Sequence, residues 1–222
     1  MLTEADQQRV TAAVAAAEEK SGGEIATAII AESDDYGLRE VAVALAAGVI
    51  VWAAAIAASG PILTVLERLF WSPPAWYLSV VQGVIALSAG FATYAIAQIP
   101  AVDRLIVPQA AMAEAVARRA RRHFVESGTY DTVDNTGVLI FVSLLERRVE
   151  LIADRGIHAQ VEPGTWDAVV ADLTAGIRAG KLADALVAAV ERCGEILAGK
   201  VVRRTDDTNE LPDTPTELEK GS

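Results

Sequence analysis

Cysteine occurs once in this 222-residue chain, at position 193, so no intrachain disulfide can form. Cys193 lies in an apolar helical stretch and reads as a small core side chain; a reducing compartment is permitted. Basic residues are also scarce. With 19 Lys and Arg against 30 Asp and Glu, the formal net charge is −11 and no phosphate-neutralising stripe runs along the chain, which argues against nucleic acid as a partner. Only two histidines are present, His123 at the end of an Arg-rich helical stretch and His158 after a strand pair, and both read as structural. No Ser/His/Asp arrangement is legible. Cys193 is followed by "GEILAGK", so it does not head a phosphate-binding loop closed by arginine. The Gly-Lys pairs at 180–181 and 199–200 lack the following Ser/Thr and the earlier glycine of a P-loop.

Charge is missing altogether from two long stretches. Between Val41 and Val102 the only charged residues are Glu67 and Arg68. A hydrophobic fraction of 52% and a mean hydropathy of +0.32 are too high for an ordinary acidic soluble protein, and these runs account for the excess. Each is long enough to cross a bilayer, which takes about 20 residues. The spans are predicted at 41–63 and 76–99, the second rising about 36 Å at 1.5 Å per residue. The competing reading is a pair of buried core helices. Core helices carry a polar face, however, and no such alternation occurs here. Trp71, Trp76 and Tyr77 flank the turn between the runs, as interfacial aromatics do. The first run begins after a charged segment and does not read as a cleavable signal peptide.

Outside these runs the pattern is helix, strand, then helix, strand, strand and two helices. Thr3, with Asp6 three residues on, is a plausible cap for the first helix, and Gly22 and Gly23 stop it. "IATAII" within 24–31 is the near-continuous apolar run of a strand covered on both faces. Residues 110–126 form the next helix. "GVLIFVSL" (137–144) and "RVELIAD" (148–154) are strands joined by the short turn "LERR", so they pair antiparallel. Helices follow at 162–179 and 182–198. One strand cannot bury itself, so the pieces on either side of the apolar runs must combine.

The expected fold is α/β: a small three-stranded mixed sheet sandwiched by helices and interrupted by a two-helix transmembrane hairpin. The expected domains are 1–36 with 104–202 as one discontinuous unit, 39–102 as the inserted hairpin, and 203–222 as a disordered acidic tail. An even number of spans returns both halves of the sheet to one side. Arg9, Lys20 and Arg39 precede the hairpin and Arg104, Arg118, Arg119, Arg121 and Arg122 follow it, which by the positive-inside rule makes both termini cytoplasmic and the 59–75 loop external. The expected location is therefore a bacterial inner (plasma) membrane, with the lipid bilayer as a partner.

The strand pair has two ends. At its open end Asp131, Asp134 and Asn135 lead into one strand and Asp154 closes the other, a set of hard oxygen donors of the kind Ca²⁺ or Mg²⁺ prefers. Asp and Asn also favour turns at strand ends, and no EF-hand spacing is present, so both readings stand. At the other end, the first two strands finish beside the membrane insertion. Arg147 and Arg148 of "LERR" then meet anionic lipid or form a solvated turn. Glu32, Asp34 and Asp35, at the end of the first strand, are expected to pair with those arginines, to cap a turn or to contact a partner.

"SGGEIATAII", "TVDNTGVLIFVSLLERRVELIADRGI" and "RAGKLADALVAAVERCGEILA" together resemble the TPM domain family, with Asn135, Thr136, Gly137, the paired strands and Gly156 carrying most of the likeness. The resemblance covers nearly all of the chain outside the apolar runs. It implies one of several activities: acid phosphatase, binding of calcium or another divalent ion, or service as an accessory subunit or assembly factor of a membrane complex. The internal hairpin and the cytoplasmic placement depart from many relatives and weaken direct transfer. The expected function is an integral membrane accessory module with a membrane-protein partner and Ca²⁺ or Mg²⁺ as the candidate cofactor. The alternative is a metal-assisted phosphatase. A transporter is disfavoured, because two spans without intramembrane charge offer no ion path.

Overall fold

The capping pair predicted at the N-terminus is formed: Thr3 Oγ1 accepts from the Asp6 amide at 3.2 Å and Asp6 Oδ2 accepts from the Thr3 amide at 3.4 Å. From there the computed structural model describes residues 1–132, 135–162, 164–201 and 209–219. The elements in chain order are α1 (Glu4–Glu18), β1 (Glu24–Ile30), α2 (Gly37–Ala57), α3 (Ser59–Leu69), α4 (Trp76–Ala97), α5 (Pro100–Ile106), α6 (Gln109–Glu126), β2 (Gly137–Ser143), β3 (Arg148–Ala153), α7 (Arg155–His158), α8 (Asp167–Arg178), α9 (Leu182–Ala198) and β4 (Thr216–Leu218). They divide into two units, Met1–Asp34 with Ala110–Ser222, and Asp35–Gln109.

The first unit is an α/β sandwich built on a mixed sheet of order β3-β2-β1-β4. β1 pairs parallel with β2, with Glu24 opposite Gly137 and Ile30 opposite Ser143, and β2 pairs antiparallel with β3. All seven residues of β1 and of β2 are buried, because both faces of the sheet are covered. On one face Ile25, Ile29, Val138, Ile140 and Val142 pack against Val10 and Val14 of α1, Leu173 of α8, and Leu186, Val190 and Leu197 of α9. On the other, Ala26, Ala28, Ile30, Leu139 and Phe141 meet Val116 and Ala120 of α6.

The three-stranded expectation is corrected to four strands. Thr216–Leu218 pairs parallel with Ala28–Ile30 on the edge of β1 that β2 leaves free. Residues 209–219 are thus not the disordered tail expected, while 202–208 and 220–222 lie outside the described residues. The physical reason is the edge itself: an apolar strand with an unpaired side is a template for any strand that can reach it. Leu211 is buried against the α6 face, and Glu24 Oε2 accepts from the Glu210 and Leu211 amides at 3.3 and 3.2 Å.

In the second unit α2 and α4 pack together. Ala44 faces Gly90 and Ala55 faces Gln82, so the two helices run antiparallel. A Cβ on Gly90 would stand 3.3 Å from the Ala44 carbonyl, a close approach that only small residues permit. Both helices are long and apolar enough to cross a membrane. Their most apolar windows are only 17% and 11% buried, unlike the mostly buried core helix of a soluble protein, and Leu45, Ile50, Leu87 and Phe91 are exposed. The first apolar helix stops at Ala57, short of the predicted 63. Pro61 has no N–H to offer the Ala57 carbonyl, so the helix cannot continue. The segment expected to be a connecting loop then forms α3.

Candidate functional site

The open end of the β2–β3 pair is set by a tight turn. Thr132 Oγ1 accepts from the Thr136 amide at 2.9 Å, and the Asn135 amide donates to the Thr132 carbonyl at 3.0 Å. Asn135 takes a left-handed conformation with φ of 55°, which Asn tolerates better than most residues. Thr136 Oγ1 donates to the Gly22 carbonyl at 2.9 Å and ties the turn to the start of β1. Gly137 follows because nothing larger fits: a Cβ there would lie 2.0 Å from the Thr129 carbonyl oxygen.

Asp154 closes β3 and caps α7. Its amide donates to the Gly137 carbonyl at 2.9 Å, and its Oδ1 accepts from the Arg155 amide at 2.6 Å. Its Oδ2 is buried without a hydrogen-bond partner, in a residue only 7% exposed. A buried carboxyl oxygen left without a partner is costly, and such groups call for an explanation. Asn135 is brought beside it: the Gly156 amide donates to the Asn135 carbonyl at 3.0 Å, and Arg155 Nη2 donates to Asn135 Oδ1 at 3.3 Å. Asp131 is exposed and its amide donates to the Gly128 carbonyl. Asp134 lies outside the described residues. Among the described residues no three His, Cys, Asp or Glu side chains converge as a metal site would require.

The opposite end holds a polar cluster that the sequence did not reveal. Glu146, within "LERR", is buried; its carboxylate accepts from the Ser33 amide at 3.0 Å and from Ser143 Oγ, and Ser33 Oγ lies 2.7 Å from Ser143 Oγ. The only sequence signal was two serines at the ends of apolar strands. Arg147 is exposed with φ of 51°, and Arg148 is half-buried. Asp34 pairs at 2.7 Å with Arg118 of α6, a partner not foreseen, and Asp35 Oδ1 accepts from the Gly37 amide as a turn cap. In the apolar unit Trp71 is fully exposed and Trp76 largely so; Trp76 and Phe70 both meet Tyr77 edge-on, at 4.5 and 5.3 Å between ring centroids.

Other groups that could do chemistry are held in inert settings. Cys193 is fully buried, and burial pushes its thiol up to about 12, which removes the reactive thiolate at neutral pH. His123 is buried beside Phe141; burial and the neighbouring Arg119 guanidinium push its imidazole down, against a smaller opposing pull from Glu126. Glu150 is raised by burial, with Arg121 and Arg148 opposing.

The molecule is thus an α/β sandwich with an apolar helical unit inserted after its first strand, and its strand-end turn is the candidate binding site. Residues 101–196 match the model of the TPM domain family. Its fold is similar to the NMR structure of the BA42 protein from the psychrophilic bacterium Bizionia argentinensis, with a TM-score of 0.57 and 17% identity over 98% of this chain and 96% of that one. No curated protein matches the sequence.

Proposed function

We propose that this chain is a two-span integral protein of a bacterial inner membrane, with both termini cytoplasmic. Its TPM domain serves there as an accessory or assembly module for a membrane complex. The observation that carries this reading is the apolar surface of α2 and α4, which is mostly uncovered by protein and would be costly in water.

The strand-end turn is the module's candidate divalent-cation site. The unpartnered Oδ2 of Asp154 suits Ca²⁺ or Mg²⁺, and the Asn135 carboxamide oxygen, which the adjacent Arg155 engages, is a second hard donor. Asp131 and Asp134 are the further carboxylates the sequence offers nearby. Arg155 engages Asn135 Oδ1 and would have to release it before that oxygen could serve as a ligand. When bound, the cation supplies neutralisation of the buried carboxylate and a rigid link between the two strand ends.

The test is calorimetric titration of the purified full chain in detergent micelles with CaCl₂ and MgCl₂, run beside a phosphomonoester hydrolysis assay. Asp154→Asn is the comparison, because it retains the oxygen that caps α7. Saturable heat lost in the variant, without turnover, supports a cation-binding module. Turnover that depends on Asp154 replaces the module with a metal-assisted phosphatase. Absence of both removes the cation and leaves Asp154 a helix cap.

A further inference from the structure

We propose that α3, together with Phe70 and Trp71, is an in-plane membrane helix seated at the boundary between acyl chains and headgroups, rather than a water-exposed connection between two spans. The partner is phospholipid. The inference rests on reading α2 and α4 as membrane spans.

The pattern of α3 points to an interface. On a 3.6-residue helix Gly60, Thr64, Glu67 and Arg68 fall on one side, while Pro61, Ile62, Val65, Leu66 and Leu69 fall on the other. Of the apolar set only Leu66 is buried by protein; Leu69 is 70% exposed and Trp71 completely so. A narrow charged stripe opposite a broad apolar face is the arrangement of a helix lying flat on a bilayer. Its apolar face borders a cleft of about 480 Å³ against α4, lined by Ile62, Leu66, Leu69, Phe70, Val81 and Ile85. Beside that cleft, Val84, Ile85 and Leu87 of α4 are exposed apolar side chains.

A second observation is independent of the pattern. Where α2 breaks into α3, backbone carbonyls lose their helical partners. In water, solvent would satisfy them. Here side chains attend to the break: Gln82 Nε2 donates to the Ala55 carbonyl at 3.0 Å and to Ser59 Oγ at 2.9 Å, and Ser59 Oγ donates to the Ile56 carbonyl at 2.5 Å. Gln82 is itself buried, a single amide within an otherwise apolar stretch of α4. A helix break served by Ser and Gln side chains is what a water-poor setting demands. The aromatic cluster of Phe70, Trp76 and Tyr77 stands at the same end, where ring edges prefer the headgroup level.

The experiment reads the depth of Trp71. The full chain carrying Trp52→Phe and Trp76→Phe is reconstituted in phosphatidylcholine vesicles, some containing lipid brominated near the headgroup end of the chain and some near its methyl end. Trp166 belongs to the other unit and is kept as background, defined by a companion protein that also carries Trp71→Phe. The expected result is strong Trp71 quenching by shallow bromolipid, with quenching by aqueous iodide several-fold weaker than for free tryptophan. A matching protein that retains Trp52 in place of Trp71 reports on the span. Quenching of Trp52 by bromolipid with Trp71 open to iodide overturns the in-plane helix alone. No bromolipid quenching of either overturns the membrane reading as well.

Discussion

Leu211→Ala tests the docking of the C-terminal segment. Leu211 is 7% exposed and packs in the cluster of Ala26, Ala28, Ile30, Val116, Ala120, Leu139 and Phe141. Truncating a buried leucine costs about 2–5 kcal/mol, and a segment held by a three-residue edge strand can relax, which favours the lower figure. The loss is also capped. Once it exceeds the free energy that holds residues 209–219 to the sheet, the segment lets go and the rest of the unit keeps its fold. A cost of about 2 kcal/mol raises the undocked population roughly 30-fold, at 1.4 kcal/mol per factor of ten. Limited proteolysis measures it directly, since cleavage follows the open population when reclosing is fast. The variant should lose its tail roughly 30-fold faster than the parent, with a small change in melting temperature. Thr214→Ala, at an exposed neighbouring position, should cleave at the parental rate. Equal cleavage of parent and Leu211→Ala would refute a docked tail and return the sheet to three strands.

Gly137→Ala should destabilise the sandwich by about 1–3 kcal/mol or more, since its Cβ would meet the Thr129 carbonyl at 2.0 Å. Gly83→Ala, with open space around the position, should leave the thermal midpoint in micelles unchanged or slightly higher. For His123 the folded imidazole titrates below the free value of 6.5, so its contribution is full above that pH. It declines as pH falls from 6.5 towards the lower folded value, because the unfolded chain takes up the proton first. Thermal midpoints of His123→Gln should therefore depend less on pH than those of the parent across that window. Cys193 should resist maleimide labelling at about pH 8 in the folded protein and react on denaturation, as its raised thiol requires; labelling of the folded chain at the rate of a free thiol would contradict its burial.

Much of this architecture was legible in local pattern. The N-terminal cap was written in Thr3 and Asp6, and the two apolar helices in the absence of charge from Val41 to Leu66 and from Leu69 to Val102. The β2–β3 pairing was written in two apolar runs joined by a short turn. Each of these depends on residues close in sequence, so spacing alone specifies it. Asn135 and Asp154 were singled out for the same reason, since strand pairing brings the two ends of a hairpin together.

Tertiary structure decided the rest. Thr216–Leu218 has no periodicity that marks a strand; it becomes one because β1 offers an open edge and Glu24 accepts two amides from residues 186 and 187 positions away. Nothing in the turn "LERR" marked Glu146 for burial, yet Ser33, 113 residues earlier, donates its amide to that carboxylate inside the fold. Asp34 was expected to pair with the arginines of the strand turn, and its carboxylate meets Arg118 of α6, a helix that pattern alone did not place beside it. Helix period, caps and short turns are properties of neighbouring residues. A strand's edge partner and a buried carboxylate's donors come from distant segments that only the packed chain brings within hydrogen-bond reach.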